Sequence, residues 1–293
     1  MRILVTGKNG QLGKSIDKIV NANTKANNSQ DSNEFIFVGR AELDLSKQDS
    51  ITNYFDNNKF DIIINCAAYT AVDKAEEECE LANQVNHLAV KQLAGIVAQK
   101  SKLIHISTDY VFDGESNNPY TEIDATNPIN VYGRTKLAGE KALQEIMPTN
   151  AIIIRTSWVY SEFGSNFVET MLRLGKERDE LSVVSDQIGS PTYATDLAEA
   201  VLTIVNNKDY QDKSQSTEIY HYSNEGEISW YDFTKEIFKI ATIDCKVNPI
   251  NTDQYPTPAR RPKQTCMNSI KISEKFNTDT PEWRLSLVKS IGL

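Results

Sequence analysis

The chain has 293 residues, too many for one small domain and suited to one large domain or two smaller ones. Hydrophobic residues make up 40% and charged residues 24%, an ordinary globular balance, and no apolar run approaches the roughly 20 residues of a membrane span. A net charge of -9 argues against nonspecific nucleic-acid binding, so neither a nucleic acid nor a membrane is expected as a partner.

In chain order, Ile3–Val5 reads as a short strand that runs into a glycine turn, Gly7–Gly13. A helix follows, and the Asn-, Ser- and Lys-rich stretch 21–33 reads as a solvated loop. Phe35–Val38 is a second strand, and Ser46–Asn57 a helix with Ser46 as its cap. Asp61–Ala67 is a third strand. Ala82–Lys100 is a long helix, with Val85, Leu88, Ala89, Leu93, Ile96 and Val97 at helical spacing. Leu103–Ser107, Val131–Met147 and Ala151–Arg155 continue as strand, helix and strand. Apolar strands alternating with helices predict an α/β fold, a parallel sheet covered on both faces.

The turn Thr6-Gly7-Lys8-Asn9-Gly10-Gln11-Leu12-Gly13 follows the first strand and opens a helix, the context of a dinucleotide fingerprint. Its glycines permit a tight turn and close approach to a pyrophosphate, which the helix N-terminus then faces. The second strand ends at Arg40. An arginine there suits a 2′-phosphate, so NADPH is the expected cofactor, with NADH left open. Asp44 and Leu45 follow, suited to an adenine edge. Ala67, Ala68 and Tyr69 end the third strand, where small residues leave room for a cofactor.

These features predict a Rossmann-type, doubly wound domain over 1–157, with about 190–215 packing back onto it. Beyond residue 157 the alternation loosens. The proline-rich run Tyr255–Pro262 can be neither helix nor central strand. Segments 158–189 and 216–293 are therefore expected to form a smaller, interleaved α+β substrate domain.

Tyr132 and Lys136 stand four apart, on one face of a helix. A lysine ammonium beside a phenol is expected to pull the phenol below its usual pKa of about 10 and make it a proton donor near neutrality. Thr108, at the end of the fourth strand, could hold the oxygen being protonated. Strand C-termini are where open α/β sheets place ligands, so all three should converge there. The cysteines Cys66, Cys79, Cys245 and Cys266 lack metal-ligand spacing, and the apolar start is too short for a signal peptide. Reduced thiols, a cytoplasmic location and no metal site are expected. His105 sits in an apolar run and reads as a core histidine.

On these residues, and on Asn65–Lys74 (NCAAYTAVDK), Ser107–Phe112 (STDYVF), Asn130–Lys141 (NVYGRTKLAGEK), Arg155–Tyr160 (RTSWVY) and Tyr255–Pro262 (YPTPARRP), the chain resembles the extended short-chain dehydrogenase/reductases. Within them it is similar to the dTDP-4-dehydrorhamnose reductases. The resemblance implies an enzyme that reduces the 4-keto group of a dTDP-6-deoxysugar with NADPH. Tyr132 would be the acid, Lys136 its partner and a holder of the nicotinamide ribose. Thr108, Asp109, Tyr110, Val72, Trp158 and Arg261 would meet the sugar nucleotide. Gly7, Gly10, Gln11, Leu12, Gly13, Arg40, Asp44, Leu45, Ala67, Ala68, Tyr69 and Ile106, with Tyr132 and Lys136, would line the cofactor site.

Two departures bear on assembly. Well-known members bind magnesium at a dimer contact through glutamates, whose positions here hold Ser15 and Thr195. Neither is a good magnesium ligand, so a monomer or weak homodimer without the metal is expected. Two other readings share the fold: an epimerase or other nucleotide-sugar reductase, and a non-catalytic regulatory subunit like the methionine adenosyltransferase beta subunit. A dehydratase would need an acidic residue after Asp109, where Tyr110 stands.

Overall fold

The computed structural model describes residues 1–26, 33–212 and 214–292. Six parallel strands form the central sheet. They are β1 (Arg2–Thr6), β2 (Glu34–Val38), β3 (Ile62–Asn65), β4 (Lys102–Thr108), β5 (Ala151–Thr156) and the strand Glu218–His221. Their spatial order is 2-1-3-4-5-6, so the order reverses between β1 and β3. That reversal opens a crevice at the strands' C-terminal ends, where doubly wound sheets bind ligands. The middles of β1 to β3 and β5 are apolar because helices cover both faces.

On one face, Ile3, Val5, Ile64 and Ile104 pack against Leu12 and Ile16 of α1 (Gln11–Ala26) and against the helix Ala194–Asn206. On the other, Leu4, Ile63, Leu103 and Ile153 meet Ile51 and Phe55 of α2 (Gln48–Asn57) and residues 89–97. A third cluster gathers Tyr160, Val168, Phe233, Ile237, Trp283 and Leu287 away from the sheet, around the helices Phe167–Glu177 and Trp230–Ile240. Glu180–Val184 pairs with Lys246–Ile250 beside it.

Three expectations need correction. α1 continues to Ala26, so the first residues of the expected loop are helical; 27–32 lie outside the described residues. The long helix after β3 has a π-helical turn, Gln84–Leu88, between Cys79–Asn83 and Ala89–Val97, which turns Asn86 inward. Glu218–His221 pairs with β5 rather than joining the peripheral residues, because its backbone amides and carbonyls satisfy the otherwise open edge of the sheet. Among the described residues, no helix is long and apolar enough to cross a membrane.

Candidate active site

A cleft of about 1140 Å³ lies at the β1/β3 reversal. Its near wall is the glycine turn. Gly7 has φ +74, and a Cβ there would come within 2.9 Å of the Ala67 amide, so the turn abuts the end of β3. At Gly13 a Cβ would meet the Gly7 carbonyl oxygen at 2.3 Å, so only glycine lets the helix start this close. The first turn of α1 carries no acidic side chain, which leaves its amides to an anion.

Gly10, Gln11, Leu12, Arg40, Asp44, Leu45, Ala67, Ala68, Tyr69 and Ile106 all line the cleft, with Gly7 and Gly13. Arg40 is largely exposed at the rim, 3.4 Å from Asp44. Burial pushes the Asp44 carboxyl up, but bonds from Ser46 and the charge of Arg40 outweigh it and hold it below its ordinary value. The side chain of Gln11 does not face the cleft's phosphate end; it bonds to residues 159–166. Only its backbone is left for a pyrophosphate.

The far wall holds Thr108, Asp109, Tyr110, Tyr132 and Lys136. Thr108 and Asp109 close β4. Tyr132 and Lys136 start the helix Val131–Ile146, whose cap is Asn130, accepting from the Gly133 amide at 2.8 Å. Asn130 also donates to the Arg260 carbonyl, at 2.8 Å, which ties this helix start to the proline-rich run. Tyr132 lies beside Thr108 in this wall and stands edge-on to Tyr110, with centroids 5.6 Å apart.

Electrostatics here differ from the expectation. Burial pushes the Tyr132 phenol up to about 12, opposed by the nearby Thr108 hydroxyl, which lowers it. Lys136 does not depress it: its Nζ donates to the Ile106 carbonyl at 2.6 Å and lies 3.5 Å from His105 Nε2. Burial lowers Lys136 to about 8, opposed by the charge of Glu140 one turn on. In a dry wall desolvation outweighs a charge that points elsewhere. Asp109 is likewise raised by burial, to about 6, and its Oδ1 accepts from Thr108 at 3.0 Å.

His105 is a core histidine, fully buried, held neutral by burial and 3.1 Å from Asn65. Behind it Glu140 and Arg155 form a fully buried bidentate pair, at 2.7 Å, which Ser107 joins by donating to Glu140.

Val72 and Trp158 also line the cleft. Arg261 does not: both its guanidinium nitrogens grip the Asp73 carboxylate at 2.7 Å. The proline-rich run is thereby pinned to the segment after β3, and no fork is left pointing into the cleft.

Residues that sequence reasoning missed complete the walls. Asn86 accepts from the Tyr69 amide (2.9 Å) and donates to its carbonyl (3.1 Å) and to Thr135 (3.2 Å), fixing the loop that lines the cofactor side. An asparagine set between Val85 and Ala89 on the helix's apolar face was the available signal. Trp230 stacks on Trp158 with centroids 3.3 Å apart, and Phe167 lies 4.3 Å from Trp230. Trp158 itself has φ +46, and Gly189 leaves the space its ring fills. No local signal marks Trp230, which is 72 positions downstream.

A doubly wound sheet with a glycine turn at its reversal, facing a tyrosine–lysine–threonine set, defines the class of dinucleotide-binding α/β oxidoreductases. Comparison with known proteins narrows the class. Residues 1–292 match the model of the RmlD substrate binding domain family, and the chain belongs to that family. The dTDP-4-dehydrorhamnose reductase of Aggregatibacter actinomycetemcomitans is 41% identical, with 98% of this chain and 97% of that protein covered. A crystal structure of such a reductase from Clostridium acetobutylicum has a TM-score of 0.89 at 41% identity, over 99% of this chain and 98% of that one. One from Bacillus anthracis, described in complex with NADP, has a TM-score of 0.89 at 36% identity, over the same shares.

Proposed function

We propose that the chain is an oxidoreductase that uses NADPH to reduce the 4-keto group of dTDP-4-dehydro-6-deoxy-L-mannose, giving dTDP-L-rhamnose. The observation that carries the reading is the placement of Thr108, Tyr132 and Lys136 together on one wall of a cleft whose other wall is a glycine turn. Full-length relatives named for this reaction support it.

The residues fit the cofactor. The glycine turn leaves no Cβ in the way, the first turn of α1 offers amides, and Arg40 stands at the rim. Bound there, NADPH supplies hydride. Tyr132 keeps its proton across the neutral range and can give it to the sugar oxygen as charge develops. Thr108, on the same wall, steadies that oxygen. Lys136, held by the Ile106 carbonyl on the same cleft wall, is the residue that would hold the nicotinamide ribose. Trp158 and Trp230 offer a flat apolar wall to the sugar nucleotide.

The peripheral cluster around Phe167–Glu177 and Trp230–Ile240 is the substrate unit in this reading. The chain acts in the cytoplasm as a monomer or weak homodimer, without magnesium; its mass in solution with and without the metal tests this. For the reaction, NADPH oxidation is followed with enzymatically generated dTDP-4-dehydro-L-rhamnose, and the product is identified by NMR. A wild-type chain that oxidises no NADPH with this sugar overturns the reading.

A further inference from the structure

We propose that Gln11 is a positioning residue that couples the cofactor end of the cleft to the sugar end. Gln11 opens α1, where its backbone belongs to the phosphate-facing turn. Its side chain turns the other way. Nε2 donates to the Val159 carbonyl at 3.1 Å, and Oε1 accepts from Ser161 Oγ at 2.9 Å and from Asn166 Nδ2 at 3.1 Å. All three partners lie on one stretch, 148 to 155 positions away in sequence.

That stretch faces the other ligand. Asn166 caps the helix Phe167–Glu177 through the Glu169 amide at 3.1 Å, and its Nδ2 also donates to the Ser161 carbonyl at 2.7 Å. Gly164, Ser165, Asn166 and Phe167 line the cleft, and Phe167 touches the tryptophan stack. Further along α1, Lys18 pairs with Glu162, and Lys14 and Lys18 lie over the Phe163 ring. The amide of Gln11 is the tie nearest the glycine turn. Ordering of that turn by a cofactor therefore fixes Gln11, and with it the cap and ring of the sugar-side wall. Cofactor binding then prepares the wall for the sugar nucleotide, as a coupling free energy between two sites.

The inference rests on the cleft taking NADP and a dTDP-sugar. The test is titration of dTDP with and without saturating NADP+, and of NADP+ alone, on wild type, Gln11→Ala and Ser161→Ala. In wild type NADP+ should tighten dTDP binding by about fivefold or more, the low end of typical couplings. In Gln11→Ala that factor should fall below about twofold. Ser161→Ala removes one bond without touching the glycine turn and should give an intermediate factor, with NADP+ alone binding within about threefold of wild type; it decides the matter if Gln11→Ala does not fold or loses NADP+. In turnover, Gln11→Ala should raise KM for the sugar more than for NADPH. A factor unchanged in the variants, or absent in wild type, overturns the proposal alone. Wild type that binds neither NADP+ nor dTDP overturns the reading of the cleft, and this inference with it.

Discussion

At one end of the cleft the wall is backbone; at the other it is aromatic side chain. The phosphate-facing part of the cofactor end is glycines, alanines and amides from two adjacent strand ends, with side chains such as Arg40 and Asp44 at its rim. The sugar end is Trp158, Phe167 and Trp230, brought from separate segments and held by one another. Tyr132, Thr108 and Lys136 stand where the two meet. The difference teaches that one end is fixed by steric exclusion and the other by mutual packing, so they should fail differently when altered.

The largest effect is expected at the junction. Tyr132→Phe should lower kcat by about a hundredfold or more, the scale of general-acid catalysis, while NADP+ titrates as in wild type. Retention of more than a few per cent of the rate removes Tyr132 from the acid's role. Asp109 offers a stability test of the same region. Its folded pKa, about 6, exceeds the ordinary 3.8, so the folded state holds the proton more tightly. The cost of ionising it is absent below the unfolded pKa, grows as pH rises through 6, and is complete above. Asp109→Asn should therefore be more stable than wild type near pH 7.5 by up to about 3 kcal/mol, with the gain vanishing towards pH 4. Thermal melts at the two pH values read this, and an equal gain at both contradicts a buried carboxylate.

The two ends themselves separate next. Gly13→Ala should cost about 1–3 kcal/mol and abolish measurable NADP+ binding, because its methyl meets the Gly7 carbonyl. Trp230→Ala should raise KM for the sugar nucleotide about tenfold and leave NADPH unaffected, as loss of one stacking partner implies. Equal behaviour of the two variants towards NADP+ would erase the contrast. The smallest effect is on pH. Lys136 titrates at about 8, so kcat/KM should decline above that pH as its charge is lost. A profile flat to pH 10 contradicts a role for the ammonium.

Legibility in the sequence followed the same division. The glycine turn, the strand-end alanines and the tyrosine–lysine spacing are local patterns, and each lies in the cleft where expected. A local pattern suffices because the backbone that makes the site is continuous through the motif. Arg261 lies in an equally recognisable run, but the pattern could not say that Asp73, 188 positions away, would take its guanidinium. Gln11 is inside the glycine motif, and its side chain still spends its bonds on residues far downstream.

The sequence by itself determined the alternation of strand and helix, the glycine turn, and the tyrosine–lysine–threonine set proposed for the chemistry. Those follow from backbone sterics and hydrophobic period, which act over a few residues. Only the tertiary structure decided that Tyr132 is raised rather than lowered, that Lys136 aims at Ile106, and that Trp230 lies on Trp158. Charge and packing depend on what is brought within a few ångströms and on how much water is left there. Both are properties of the closed fold.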